Sequence, residues 1–322
     1  MNIRSPRNKT IRITDLDRME LRSSLIQASE VNASNCLNST ILGNCFDVMP
    51  KLPAQIADLA IIDPPYNIYK KVGAKTFGKR PISAYTDWLM ELLALVQPTL
   101  KPTATVYLCG DWQTSLSLYE AATRSGLHVK NRITWSRKSP GAKHNWKNAH
   151  EDIWFCTRSS NYTYNVIKTR KRVLFPYAHE AADWTLDSKG QAWRDEYPSN
   201  VWTDITPPFW SMSENTEHPT QKSEKFCAKL ILASSNPGDV VLSPFLGAGG
   251  DSVVAKKLRR QYIGIELQED FALVAQKRLN AADNDSRIAG YHDGVFWERN
   301  AFRHSSSFAL PPSLEDGEVR SR

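Results

Sequence analysis

No apolar run approaches the roughly 18 residues that a membrane-spanning helix needs, so an integral membrane protein is not expected. The N-terminal stretch "MNIRSPRNKTIRITDLDRMELR" lacks the apolar core of a secretion signal. Asp15, Asp17 and Glu20 also argue against an organellar transit segment, so a cytoplasmic location is expected. The five cysteines, Cys36, Cys45, Cys109, Cys156 and Cys227, are odd in number and scattered, with no C-x-x-C pair. That excludes a disulfide framework, offers no zinc site and fits reduced thiols. No internal repeat is visible, which removes solenoids and propellers. Glycine is sparse, 15 residues in 322, so three of them within four positions at Gly247, Gly249 and Gly250 stand out.

What is present is a chain able to build a core. At 322 residues and 41% hydrophobic it suits one large α/β domain or two smaller ones. The net charge of +7 is unevenly placed. Residues 130–172 hold eleven Lys/Arg against Glu151 and Asp152, a net +9, so the remainder carries −2. Trp135, Trp146, Trp154, Phe155, Tyr162 and Tyr164 lie among these cations. A basic, aromatic segment suggests a polyanion, with duplex DNA the first candidate; a solvated basic face is the plainer alternative.

Along the chain, residues 1–38 read as a polar, loosely docked arm. From residue 39 short apolar strands alternate with helices. "STILGNC", "DLAIID" and "ATVYLCG" read as strands, and "ISAYTDWLMELLALVQPTL" and "WQTSLSLYEAATRSG" as helices. "HVKNRITWSR" and "HEDIWFCTR" make a further strand pair. Residues 158–217 show no clean period and read as a functional insertion, with DNA contacts beginning near residue 130. Alternation returns over 218–281, and residues 282–322 read as a polar tail. Such alternation implies an α/β domain with a largely parallel sheet covered on both faces.

Two stretches carry chemistry. In "LAIIDPPYNIY" an apolar strand stops at Asp63-Pro64-Pro65-Tyr66. Two prolines end sheet pairing and stiffen the stub, leaving a carboxylate and an aromatic ring at a strand end. A plain Pro-Pro turn is an even alternative for that motif alone. In "VVLSPFLGAGGDSVVAKKLRRQYIGIEL" a strand enters a glycine turn, then a helix, then a strand ending at Glu266, 17 residues after Gly249. Glycines permit close approach of the backbone to a ligand, and a carboxylate at the next strand end can take both ribose hydroxyls. The pattern is not G-x-G-x-x-G, so a single adenosine-bearing cofactor fits better than a dinucleotide.

With "HPTQK" at His218–Lys222, "NPGDVVLSPFLGAGG" and "YIGIEL" followed by "ALVAQKRL", the chain resembles the amino-group DNA methyltransferases. The order, DPPY first and glycine turn later, resembles their permuted β group, over residues 39–281. The resemblance implies S-adenosylmethionine as methyl donor and a Rossmann-like methyltransferase fold. Its mixed sheet would have about seven strands, the last antiparallel, with helices on both faces. Residues 39–157 would form the catalytic half, 158–217 the target-recognition insertion and 218–281 the cofactor half.

By the same resemblance Asp63, Pro64, Pro65 and Tyr66 are catalytic. Asn44, Asp63, Thr220, Gln221, Lys222, Phe245, Gly247, Gly249 and Glu266 would line the cofactor, with residues 220–222 near its methionine carboxylate. A helix cap supplied by Thr220 is the plainer reading of HPTQK. Lys138, Lys143, Lys147, Lys168, Arg170, Lys171 and Arg172 are the expected DNA contacts, and no metal is expected. Three positions depart from the family pattern: Ser243 stands where it usually has Asp, Asn44 where it has Asp, and Gly247-Ala-Gly-Gly-Asp251 where it has Gly-(Ser/Thr)-Gly-Thr-Thr. An Asn oxygen can still accept from an adenine amine. "DITPPFW" at 204–210 mimics the Ser-Pro-Pro-Tyr of cytosine-N4 enzymes but follows no apolar strand and reads as a turn.

The expected activity is therefore N6-adenine methylation of a short duplex sequence, as the modification partner of a restriction system. Cytosine-N4 methylation and a catalytically silent DNA-binding relative remain open alternatives. So does homodimer assembly.

Overall fold

The structure, a computed structural model, describes residues 6–68, 70–72, 75–137, 144–173 and 184–298. Its first elements are β1 (Ile26–Gln27), β2 (Ser39–Leu42), β3 (Ala57–Ile62), a small hairpin of β4 (Lys70–Val72) and β5 (Lys75–Phe77), and β6 (Leu100–Gly110). Next come β7 (His128–Ser136), β8 (His150–Thr157), β9 (Thr169–Arg172), β10 (Thr185–Leu186), β11 (Ala192–Glu196) and β12 (Val201–Trp202). The chain closes with β13 (Val240–Ser243), β14 (Gln261–Glu266), β15 (Tyr291–His292) and β16 (Val295–Trp297).

Nine of these strands form one sheet in the order β1-β2-β14-β13-β3-β6-β8-β7-β12. All its pairings are parallel except the two made by β8. The expected seven strands are its centre, widened by the two-residue edge strands β1 and β12. The reversed strand is β8, placed between β6 and β7, and not the last in the chain.

Alternate residues of the buried strands serve opposite faces, as the pleat requires. Ala60 and Ile62 pack with Val106, Leu108, Leu242 and Ile263 on one face, under α2 (Cys45–Val48), α3 (Ile82–Val96) and α4 (Ser115–Arg124). Leu59 and Ile61 pack with Tyr107, Cys109 and Val241 on the other, under α5 (Glu224–Ser234) and α6 (Gly250–Lys257). Burial on both sides explains why these strands read as continuous apolar runs. α7 (Glu269–Ala281) follows β14 and packs Ala272 and Leu273 against Leu21 of α1 (Asp15–Leu21). Among the described residues no helix is long and apolar enough to cross a membrane.

Three segments are more ordered than the sequence suggests. Residues 6–38 carry α1, closed by a reciprocal cap between Thr14 and Asp17, and β1, which adds to the sheet edge. Leu21, Leu25, Val31 and Cys36 are buried, so this arm is docked. The insertion 158–217 is not irregular: β9 and β11 are the middle of a second sheet, β10-β11-β9-β16-β15. Its other half comes from the supposed tail, where Phe296 pairs with Thr169 and Trp297 with Arg170. Ile288, Phe296 and Trp297 are buried. Two- to five-residue strands flanked by charges give no legible alternation, which is why the pattern missed them.

Candidate active site

The carboxyl ends of β2, β3, β13 and β14 open into a cavity of about 530 Å³, within the usual range for ligand sites. The chain runs from β3 towards β6 on one side and from β13 towards β14 on the other, so β3 and β13 flank the switch point where α/β sheets bind ligands. Asn44, Asp63, Pro64, Pro65, Tyr66, Thr220, Gln221, Lys222, Phe245, Gly247 and Glu266 all line it. Gly249 is the one expected cofactor residue that does not.

β3 delivers Asp63 to this cavity. The Asp63 Oδ2 accepts from Lys222 Nζ at 2.7 Å, while Oδ1 is buried without a partner. Tyr85 on α3 donates its hydroxyl to the Pro65 carbonyl at 3.1 Å, pinning the proline stub from behind. Tyr66 donates to Glu151 Oε2 at 2.8 Å, and Lys222 Nζ stands 3.3 Å from both Tyr66 OH and Glu151 Oε2. Arg137 Nε closes the other side of Glu151 at 3.1 Å from Oε1.

Lys222 therefore pairs with Asp63 directly while lining the same cavity. Burial works against its charge, but Asp63 and Glu151 outweigh that and raise its pKa above the ordinary lysine value. Burial would likewise raise the Glu151 carboxyl; Lys222 and Arg137 overcome it and hold the group below its ordinary value. Burial, with the Asp63 and Glu151 charges, pushes the Tyr66 phenol well up, so it stays a neutral donor. Glu151 is the member of this hydrogen-bonded cluster that sequence reasoning missed. It counted only as a charge opposing the basic run, and no motif spacing ties β8 to the β3 end.

The cofactor half is built around the glycine turn. Gly247 has φ +56°, and a Cβ there would stand 3.1 Å from His218 Nε2. Gly249, at φ +81°, begins α6, and its Cβ would meet that of Ala275 at 2.7 Å. Its glycine thus serves helix packing and chain reversal. Both Glu266 oxygens take main-chain donors, Gly247 N to Oε2 and Gln268 N to Oε1, each at 2.8 Å. Phe46, Trp88 and Phe245 form an aromatic wall, with ring centres 5.8 and 6.1 Å from Trp88. Asn44 caps α2 through Phe46 N. Gln221 braces its own loop, accepting from Thr216 and donating to the Glu214 carbonyl. The α5 cap is Ser223, not Thr220.

The basic residues fall into three groups. Lys138 and Lys143 lie outside the described residues, and Lys147 is exposed. Lys168 is exposed, its ammonium 5.0 Å from the Tyr197 ring centre. Arg170, Lys171 and Arg172 pair with Asp195, Glu196 and Glu298, so their charges are compensated inside the second sheet. The "DITPPFW" segment has no place at the cavity. Asp204 there is buried and paired with Lys225 and Lys229.

The DNA methylase family of N6 and N4 specificity matches residues 57–277. The chain belongs to that family. The methylase is 31% identical over 271 residues to the DNA adenine methyltransferase YhdJ of Escherichia coli K12, covering 78% of this chain and 86% of that protein. It is 30% identical over 247 residues to the type II methyltransferase M.HpaI of Haemophilus parainfluenzae, covering 76% and 74%. Two solved structures share its fold. One is M1.HpyAVI with S-adenosylmethionine (TM-score 0.52, 22% identity, 75% of this chain and 98% of that one). The other is the cytosine-N4-specific PvuII DNA methyltransferase (TM-score 0.55, 14% identity, 82% and 94%).

The cavity fits S-adenosylmethionine in size and in the chemistry of its lining. A Cβ at Gly247 would crowd His218, and the lining shared by these two residues also holds the acids Asp63, Asp251 and Glu266 and the rings of Phe46, Trp88 and Phe245.

Proposed function

We propose that the methylase transfers the methyl group of S-adenosylmethionine to the N6 amine of adenine within a short duplex DNA sequence, as the modification enzyme of a restriction system. The names of the two relatives above, an adenine methyltransferase and a type II methyltransferase, support this reading, as does Asp rather than Ser at position 63. The observation that carries it is Asp63 Oδ1, a buried acceptor without a partner on a residue of the cavity wall.

An adenine amine is a poor nucleophile because its lone pair is delocalised into the ring. Asp63 Oδ1 can accept one N–H and the Pro64 carbonyl the other, which localises the lone pair and tolerates charge developing on nitrogen. The proline pair and the Tyr85–Pro65 hydrogen bond hold that carbonyl stub rigid. Lys222, through Oδ2, keeps the Asp63 carboxylate oriented while leaving Oδ1 for the substrate. Tyr66 offers its ring to a base swung out of the duplex, its hydroxyl anchored by Glu151. Bound S-adenosylmethionine supplies an electrophilic sulfonium methyl for direct in-line transfer. Residues 158–217 together with β15 and β16 form the target-recognition region in this reading, joined by the exposed Lys147 and Trp146.

Long-read modification calling on DNA from cells expressing the chain tests this. N6-methyladenine at a single short motif is expected. N4-methylcytosine would transfer the same clamp to cytosine, and unmodified DNA would contradict the activity.

A further inference from the structure

Two of the three departures from the family pattern meet in space. Ser243 ends β13 and Asp251 stands in the first turn of α6, and Ser243 Oγ donates to Asp251 Oδ2 at 2.9 Å. The family pattern has the acid at the first position and a threonine at the second. Here the acid and the hydroxyl have changed ends of one hydrogen bond, so the strand-to-helix contact is kept and the carboxylate is moved.

The moved carboxylate lies on the cavity wall, where three acids are found among the described residues. Glu266 holds main-chain amides of the glycine turn, and Asp63 holds Lys222. Asp251 is hydrogen-bonded only by neutral groups, the Ser243 hydroxyl and the Cys227 thiol, and the pull of Lys222 on it is smaller than the repulsion from Asp63. S-adenosylmethionine has two groups that call for an anionic acceptor, its ribose diol and its α-ammonium. The ribose falls to Glu266 in the reading above. An ammonium needs a carboxylate whose charge is not already matched by a cation.

We propose that Asp251 receives the α-ammonium group of S-adenosylmethionine, with Ser243 as the residue that positions it. The assignment rests on the cofactor reading above. Asp251 is costly to keep without a ligand. Burial pushes its carboxyl up to about 6, against the hydrogen bonds from Cys227 and Ser243. A carboxyl raised in the folded state loses stability as pH climbs from its unfolded value near 4 to its folded one, and the loss stays in force at neutral pH. A group with a purely structural task would have no reason to carry that charge.

Calorimetric titration of the full chain at pH 7.5 separates the possibilities, using S-adenosylhomocysteine, which has the amino-acid tail, and 5′-methylthioadenosine, which lacks it. Asp251→Asn should weaken S-adenosylhomocysteine and S-adenosylmethionine about tenfold or more, the value of a lost charge-assisted hydrogen bond, while 5′-methylthioadenosine binds as before. The unliganded Asp251→Asn protein should melt at or above the parent temperature. The exchange Ser243→Asp/Asp251→Ser should recover affinity that Asp251→Ser alone loses. Equal losses for both ligands, or an unchanged affinity for S-adenosylmethionine, would overturn the assignment. So would an exchange variant that folds but binds no better than Asp251→Ser. A parent that binds neither S-adenosylmethionine nor S-adenosylhomocysteine would instead bring down the cofactor reading, and the assignment with it.

Discussion

Lys222 Nζ lies 2.7 Å from Asp63 Oδ2, a contact across 159 residues of sequence that joins the two motifs on which the function rests. It makes one ammonium the counter-ion of two carboxylates, Asp63 and Glu151. Replacing it leaves Asp63 without its counter-ion and Glu151 with Arg137 alone, a change that costs more than the pair itself is worth.

Lys222→Met is therefore expected to lose most methyl transfer and to be destabilised most at neutral and higher pH. Glu151 lies below its ordinary 4.5 in the folded protein. Its contribution to stability is present above that value and fades as pH falls through the folded one. Without Lys222 burial dominates and the folded value rises above the unfolded one, so the ionised group costs stability as pH climbs through that range. Melting temperature should lie furthest below the parent's at pH 8, and the gap should narrow as pH falls to 4. Superimposable curves would mean that Lys222 is not what keeps Glu151 ionised.

Glu266→Ala removes two main-chain anchors of the glycine turn along with the proposed ribose contact. Affinity for S-adenosylmethionine should fall by about 1.5–3 kcal/mol for each charge-assisted hydrogen bond removed. Glu266→Gln retains one carbonyl acceptor and should fall between. Calorimetry decides, and equal affinity in all three proteins would remove Glu266 from the site.

The basic run divides into charges that are free to meet phosphate and charges that are spent. Neutralising Lys147 and Lys168 should reduce the slope of log affinity against log salt by about 0.9 for each phosphate they pair with. Arg170→Ala and Arg172→Ala break partly buried pairs with Asp195 and Glu298. Their main effect should be a lower melting temperature, by an amount nearer ~1 kcal/mol than ~3 kcal/mol. A large slope change from the arginines and none from the lysines would reverse this division.

Ending the chain at Ala281 should destabilise it strongly, because β16 completes the second sheet and Trp297 gives its carbonyl to the buried Lys225 ammonium. Thermal unfolding would show this as a lower or broadened transition. An unchanged melt would make residues 282–298 the dispensable tail that composition suggests.

The parts that were legible in the sequence are those in which local pattern and global packing agree. β3 reads as a strand because Leu59 to Ile62 are buried on both faces, and its end is marked by prolines that cannot pair. α3, α5 and α7 fall within a few residues of their periodic patterns. The second sheet was hidden because its hydrogen bonds join segments 128 residues apart, as where Phe296 N donates to the Lys168 carbonyl. Burial there falls on Trp193, Phe296 and Trp297, in apolar runs of no more than three residues flanked by polar and charged ones. Glu151 was hidden for a related reason. Its role depends on the antiparallel pairing that sets β8 beside β6, and that neighbour is fixed by topology rather than by spacing.

The most direct test of the central claim uses methyl-labelled S-adenosylmethionine, duplex DNA and nucleoside mass spectrometry on the parent and on Asp63→Ala. The strand before Asp63 and the prolines after it should hold the backbone, so the variant should still bind cofactor and DNA. The account predicts label in N6-methyladenine with the parent and none with Asp63→Ala. Undiminished N6-methyladenine from Asp63→Ala would contradict it.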